Sequence, residues 1–409
     1  MVNTVQLISG SEYGGLLNNG VAKYINPQSQ GVNWTTLTIT SGLVSVAGKF
    51  NRLRIYTPTF PVAGSTLSLT LVVNGVPTAL AVNLDPTKNK DVDLVNEINV
   101  VAGDKVLLKA VYSGGAVDAI YMAWALRFEG AGCLTFSGPN PLDLVNTYYG
   151  SVIGQRASIA ENTNEQVMPC GGTFKNLMVD LQGDTPGVAP KAYKFTLRVN
   201  EVDSALTCTI TGPATSGSDL VNTVHINAGD HVDISRAPVN APTNLANKAI
   251  SGMEFIPDVI NESPLLGDTN LNAAPPATTY QQLLSEFWHP DSIDEQFDIA
   301  DRDFQIKKFY AYVFAAPGMG KSWTLTGLQN SNPTALNIAI ADLATSGNDI
   351  ANIILPIDYD LLSMRMVSAG GPAGNRGHWG VVAYYSPVIP PTSNLSRGRS
   401  HKITNLIGG

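Results

Sequence analysis

Apolar and polar residues alternate along much of this chain in short runs. "LSLTLVV" from Leu67, "YKFTLRV" from Tyr193 and "WTLTGL" from Trp323 place apolar side chains at every second position. A period of two is that of a half-buried β-strand, and Thr, Val, Phe and Tyr suit such a surface. Turn residues interrupt the runs at intervals of roughly 8 to 12 residues, the spacing of an antiparallel sandwich. Helical periodicity is nearly absent; only "YQQLLSEF", residues 280–287, predicts a short helix.

The alternating runs recur three times in one order. Asn74, Asn200 and Asn330 each stand four places before Thr78, Ser204 and Thr334, which begin a shared [ST]-A-L. The period is 126 residues from Thr78 to Ser204 and 130 from Ser204 to Thr334. Further on come Asp104 in "AGDKVLL", Asp230 in "AGDHVDI" and Asp360 in "DYDLLSM", where the third copy has drifted from A-G-D. Before the runs, Phe50 to Leu53, Phe174 to Leu177 and Ile306 to Phe309 enclose two polar residues between apolar ones. An apolar strand ends each unit: "MAWALRFEG", "ISGMEFIPD" and "WGVVAYYSP".

The predicted fold is all-β: three tandem antiparallel β-sandwich, jelly-roll-like modules joined by Pro/Asn-rich linkers. The expected partition is a first module over 1–130, a linker over 131–147 and a second module over 148–258. A linker with the short helix follows over 259–287, then a third module over 288–387 and an extended C-terminal arm over 388–409. The connectors are rich in Pro, Asn, Gly and Ala, which predicts surface linkers. Leu80, Leu206 and Leu336, inside the shared [ST]-A-L, are expected in the cores.

Composition adds an expectation of assembly. Of the 409 residues, 44% are hydrophobic and only 14% charged, against about 25% charged in an average globular protein. Neutral Thr, Asn, Ser and Gly on β-rich faces suit contact with other protein surfaces. A net charge of −8 argues against gripping nucleic acid, which needs clustered Lys and Arg. Cys133, Cys170 and Cys208 form no C-x-x-C pair and read as packing residues. The start "MVNTVQLISGSEYGG" lacks a signal peptide's basic and apolar regions, and no run approaches the ~18 apolar residues of a membrane span. Synthesis in the cytoplasm without export, and no membrane partner, are the expectations.

Several stretches invite a chemical reading. "AAPGMGKSW", residues 315–323, matches the end of a phosphate-binding loop at Gly320, Lys321 and Ser322, but Ala315 stands where the first glycine belongs. The sister modules place "PVAGST" and "GVAPKA" there, so the stretch is expected to be a turn. The acidic run 289–304, with Asp291, Asp294, Glu295, Asp298, Asp301 and Asp303, lacks calcium-loop spacing and reads as a solvated face. His225 and His231 lack a zinc motif. The recurring Asp104, Asp230 and Asp360 are expected to cap backbone amides. No catalytic residue, cofactor or metal ligand set is assigned. The tail "PVIPPTSNLSRGRSHKITNLIGG" carries a basic cluster, Arg397, Arg399, His401 and Lys402, followed by Ile403, Leu406 and Ile407. It reads as an assembly arm whose cations steer it to an acidic surface and whose apolar residues anchor it.

The module pattern, a turn, then "[FL]TLxVN", "[ST]AL", "AGD.V" and an aromatic closing strand, resembles the tandem β-sandwich structural proteins of tailed bacteriophage virions. The resemblance implies a non-enzymatic virion component of capsid-decorating, fibre or tail type, assembled in the host cytoplasm. Its partners would be further copies of itself and other virion proteins. The alternative is a surface or secreted adhesion array that binds glycans through Trp34, Trp124, Trp288, Trp323 or Trp379. Trp323 falls where the sister modules carry Leu67 and Tyr193, and so reads as core.

Overall fold

The alternating runs form strands in the computed structural model. It describes residues 3–386 apart from 18–19, 29–34, 36–40, 59–62, 115–117, 244–247, 269–277, 285–297, 302–303 and 374–375. The first module comprises β1 (Thr4–Leu17), β2 (Ala22–Ile25), β3 (Gly42–Leu43), β4 (Gly48–Tyr56), β5 (Thr66–Val73), β6 (Val76–Leu84), β7 (Lys90–Val92), β8 (Glu97–Val100), β9 (Lys105–Ser113) and β10 (Asp118–Gly130). The second comprises β11 (Cys133–Asn140), β12 (Tyr148–Gly150), β13 (Ala157–Ser158), β14 (Gln166–Val167), β15 (Gly172–Asp180), β16 (Ala192–Val199), β17 (Val202–Thr211), β18 (Ser216–Ile226), β19 (His231–Val239) and β20 (Ala249–Pro257). The third comprises β21 (Glu262–Asp268), β22 (Thr279–Gln281), β23 (Asp298–Ile299), β24 (Phe304–Val313), β25 (Gly318–Gln329), β26 (Asn332–Asp342), β27 (Ser346–Ile354), β28 (Leu361–Ala369) and β29 (Gly377–Tyr385).

Strand order identifies the architecture. The sheets run β1-β10-β4-β7 and β2-β9-β5-β6, then β11-β20-β15-β18 and β12-β19-β16-β17, then β21-β29-β24-β27 and β22-β28-β25-β26. In each module the first strand pairs with the last and the second with the last but one, antiparallel throughout the ladders. Nested pairing of this kind makes a jelly roll. Leu80, Leu206 and Leu336 are fully buried, as the shared motif predicts.

Part of each expected surface linker is buried strand, at Cys133–Asn140 and Glu262–Asp268, while residues 141–147 are largely exposed as expected. β11 and β21 are buried along their whole length and open the second and third sandwiches. Only residues 131–132 and 258–261 lie between successive modules. The predicted helix over 280–287 is also absent from its described part. Thr279–Gln281 is a strand paired with β28, residues 283 and 284 form a bend, and 285–287 lie outside the described residues. Pro and Asn mark the chain's turns here without placing it at the surface, because the surface is occupied by a neighbouring module.

The three sandwiches close on one another. β3 of the first lies against β11 and β20 of the second, β14 of the second against β21 and β29 of the third, and β23 of the third against β1 and β10 of the first. Each inserted strand also pairs with its own module's penultimate strand, β9, β19 or β28. The same surfaces are used three times in cyclic order, which is a heterologous interface that closes, built within one chain. Close backbone approach explains two glycines. A Cβ on Gly252 of β20 would sit 1.9 Å from the Leu43 carbonyl oxygen, and one on Gly380 of β29 would sit 2.2 Å from that of Val167. The core is continuous across these seams: Leu7, Ala123 and Ala125 of the first module join the buried cluster of the other two.

Candidate functional site

The recurring Asn and Asp bond to each other. Asn74 Nδ2 donates to Asp104 Oδ1 (2.7 Å), Asn200 to Asp230 (2.9 Å) and Asn330 to Asp360 (2.7 Å). Each Asn Oδ1 accepts the amide that follows the Asp, from Lys105, His231 or Leu361. The second carboxylate oxygen accepts the amide three residues earlier, from Val101, Asn227 or Ile357. All three Asn adopt φ of 50° in the left-handed region, which Asn tolerates better than most residues. The landmark therefore ties two turns together, a capping role as expected.

A second repeat, D-x-x-N, escaped the sequence reading although it keeps the same spacing. Asp93, Asp219 and Asp349 each accept amides of the residues two and three places on, and the side-chain amide of Asn96, Asn222 or Asn352. Each also accepts an amide from the facing strand, from Ala81, Thr207 or Asn337. Burial raises the carboxyls, but these donors outweigh it and hold all three below the usual 3.8. The residues between Asp and Asn point outward: Leu94 and Val95, Leu220 and Val221, and Ile350 are exposed, Val95 at 86% and Val221 at 87%. Each module so presents exposed apolar residues, between β7 and β8 in the first and within β18 and β27 in the second and third. The signal was available as "DLVN" at 93–96 and 219–222, a tetrapeptide that also occurs outside the repeat at 143–146 with the same local bonds.

The seam between the third and first modules is charged. Asp301 Oδ1 lies 2.5 Å from Arg54 Nη1, its Oδ2 accepts from Arg127 Nε at 2.8 Å, and Tyr385 donates to it at 3.1 Å. Asp298 accepts from Ser9 Oγ (2.8 Å) and from the amides of Leu283 and Leu284. Both aspartates are buried, so this part of the acidic run is no solvated face. Asp291, Asp294, Glu295 and Asp303 lie outside the described residues.

In the second module Glu161, Glu165 and Asp233 bring carboxylate oxygens within 4.8 Å of one another. Arg198 grips Glu161, with Nη2 3.1 Å from Oε2, and His231 Nδ1 lies 3.0 Å from Glu165 Oε2. Burial, reinforced by the charges of Glu161 and Glu165, pushes the Asp233 carboxyl up to about 9. His225 is exposed and pairs with Asp258 at 3.2 Å.

The other sequence candidates resolve simply. Gly320 and Lys321 lie in strand β25 at a register shift, and the Gly320 amide donates to Asp342, so no helix begins there. The feature is a strand bulge where a turn was expected. Trp124, Trp323 and Trp379 are fully buried and so are not exposed glycan platforms; Trp34 and Trp288 lie outside the described residues. The same holds for Arg397, Arg399, His401, Lys402, Ile403, Leu406 and Ile407. Cys133, Cys170 and Cys208 are free and buried, which raises all three thiols. Among the described residues no helix is long and apolar enough to cross a membrane.

No family model and no curated protein matches the chain. Among solved structures, one described as "The Triple Jelly Roll Fold and Turret Assembly in an Archaeal Virus" is similar at 13% identity. The match covers 94% of this chain and 89% of that one, with a TM-score of 0.16. At that score the likeness carries no argument.

Proposed function

We propose that this protein is a non-enzymatic structural component of a virus particle, a single-chain ring of three jelly rolls that acts through protein–protein contact. The observation that carries this reading is the threefold recurrence of exposed apolar residues, Leu94/Val95, Leu220/Val221 and Ile350, each beside a buried Asp that hydrogen-bonds the local backbone. Exposed apolar groups favour association because covering them removes apolar surface from water. Low charge, 14% of residues, lowers the desolvation cost of such contacts. Jelly rolls are a recurrent architecture of viral capsid proteins. The finer reading is a decorating, fibre or tail component of a bacteriophage virion, with residues 388–409 as an arm that reaches a neighbouring copy or shell protein.

The test is electron microscopy and light scattering of the full chain beside a Val95→Asp/Val221→Asp variant. Ordered oligomers or particles are expected from the parent and their loss from a variant with unchanged circular dichroism. A parent that stays monomeric at every concentration, or a variant that assembles normally, overturns the reading. Removal of residues 388–409 separately tests the arm, with loss of incorporation expected.

A further inference from the structure

We propose that Glu161, Glu165 and Asp233 form a structural site for one divalent cation, with calcium preferred. Two observations point the same way. The three carboxylates converge from separate pieces of chain: Glu161 from the single helical turn among the described residues, Glu161–Thr163; Glu165 from the segment leading to β14; and Asp233 from β19. Independently, Glu165 Oε1 and Asp233 Oδ1 are buried and accept no hydrogen bond, in side chains that are 3% and 1% exposed. A buried carboxylate oxygen with no donor is costly, and a cation is the group that satisfies several at once.

The surrounding charges leave room for it. Arg198 occupies one side of Glu161, also reaches Asp203, and stacks over Tyr149; His231 holds Glu165 and packs edge-on against Tyr312. Once a bound cation displaces the proton that burial favours on Asp233, three carboxylates against the Arg198 guanidinium leave two negative charges when His231 is neutral, matching a divalent ion. Oxygen-only donors favour a hard cation. Calcium, with bonds of about 2.3–2.6 Å, spans oxygens up to ~5 Å apart, whereas magnesium at about 2.0–2.1 Å spans only ~4 Å. Separations within 4.8 Å lie inside calcium's span, and magnesium dehydrates more reluctantly than calcium at a partly buried all-protein site. Bound there, the ion would tie the 160–165 segment to β19, next to the seam where β14 meets the third module.

The experiment is calorimetric titration of the full chain, freed of metal with a chelator, with calcium chloride and separately with magnesium chloride, together with thermal unfolding. Expected results are one calcium per chain, a raised Tm that chelator reverses, and at least tenfold weaker magnesium. Asp233→Asn and Glu165→Gln should remove the calcium response while the circular dichroism spectrum is kept. Where either variant fails to fold, Glu161→Gln, nearer the surface, gives the same reading. Absence of calcium binding at millimolar concentration, binding that survives all three substitutions, or equal magnesium affinity overturns the proposal.

Discussion

Two seams of the ring solve one geometric problem with different chemistry. Between the first and second modules the buried contacts are neutral, and the one ion pair among the described residues, Lys105 with Asp180 at 2.9 Å, is partly exposed: Gln6 bonds both the carbonyl and the amide of Leu134, Gln28 accepts the Phe136 amide at 2.8 Å, and Asn26 donates to Gly138. Between the third and first modules, Asp301 holds Arg54 and Arg127, and Asp358 lies 2.9 Å from Arg54. The difference follows the residue that faces each module's A-G-D turn. Gly103 faces Met178 and Gly229 faces Tyr310, where an added Cβ would make only ordinary contacts at 3.9 and 3.7 Å, so the left-handed φ and not crowding favours glycine there. At the third seam the facing strand offers Arg54, and the turn has become Asp358-Tyr359, with the Tyr359 ring 5.9 Å below the guanidinium. Tyr359 keeps the left-handed φ of 69° that Gly103 and Gly229 adopt at 95° and 92°. The drift of the third copy is thus a complement to its neighbour, at a backbone cost offset by an ion pair.

The comparison can be broken most strongly at Asp301. Asp301→Asn leaves Arg54, 1% exposed, short of its nearest countercharge, and is expected to cost about 3–5 kcal/mol in denaturant unfolding. A cost near zero would mean that the charged seam is held by packing alone. Gln28→Ala at the neutral seam orphans the Phe136 amide, though Gln6 still serves Leu134, so about 1–3 kcal/mol is expected. Equal losses at the two seams would erase the distinction between them.

Acid provides a milder probe. Asp93, Asp219 and Asp349 have folded pKa values below 3.8, so the stability they contribute is complete above that value and is lost as pH falls through the lower, folded ones. Chemical unfolding measured between pH 5 and pH 2 should therefore show declining stability below about pH 4, and Asp349→Asn should flatten part of that slope. The smallest effect is expected at Lys321→Ala, within ~0.5 kcal/mol, since Lys321 sits in a bulge whose sister module carries Ser65. A loss of ATP binding on that substitution would restore the phosphate-loop reading.

Much of the fold was legible without coordinates. The Asn and Asp landmarks, the buried Leu80, Leu206 and Leu336, and the strand character of residues 322–329 all follow from local period and repetition. The landmark of two polar residues between apolar ones proved to be a β-bulge, with Arg52, Asn176 and Lys308 all at φ of 54°. The seams were not legible. "CLTFSGPN" and "ESPLLGD" carry Pro and Gly, the local signals of a linker, yet both are fully buried strands.

Sequence alone determined the unit: a period of two sets which side chains share a face, and repetition at a constant spacing reveals the copies. The tertiary structure decided where the units meet, because β3 lies against β20 and β23 against β1 and β10, far apart along the chain. Burial of Asp301, Glu165 and Asp233 belongs to this second class. A carboxylate's neighbours in space come from other strands and other modules, and no local pattern records whether a guanidinium, a proton or a cation awaits it there.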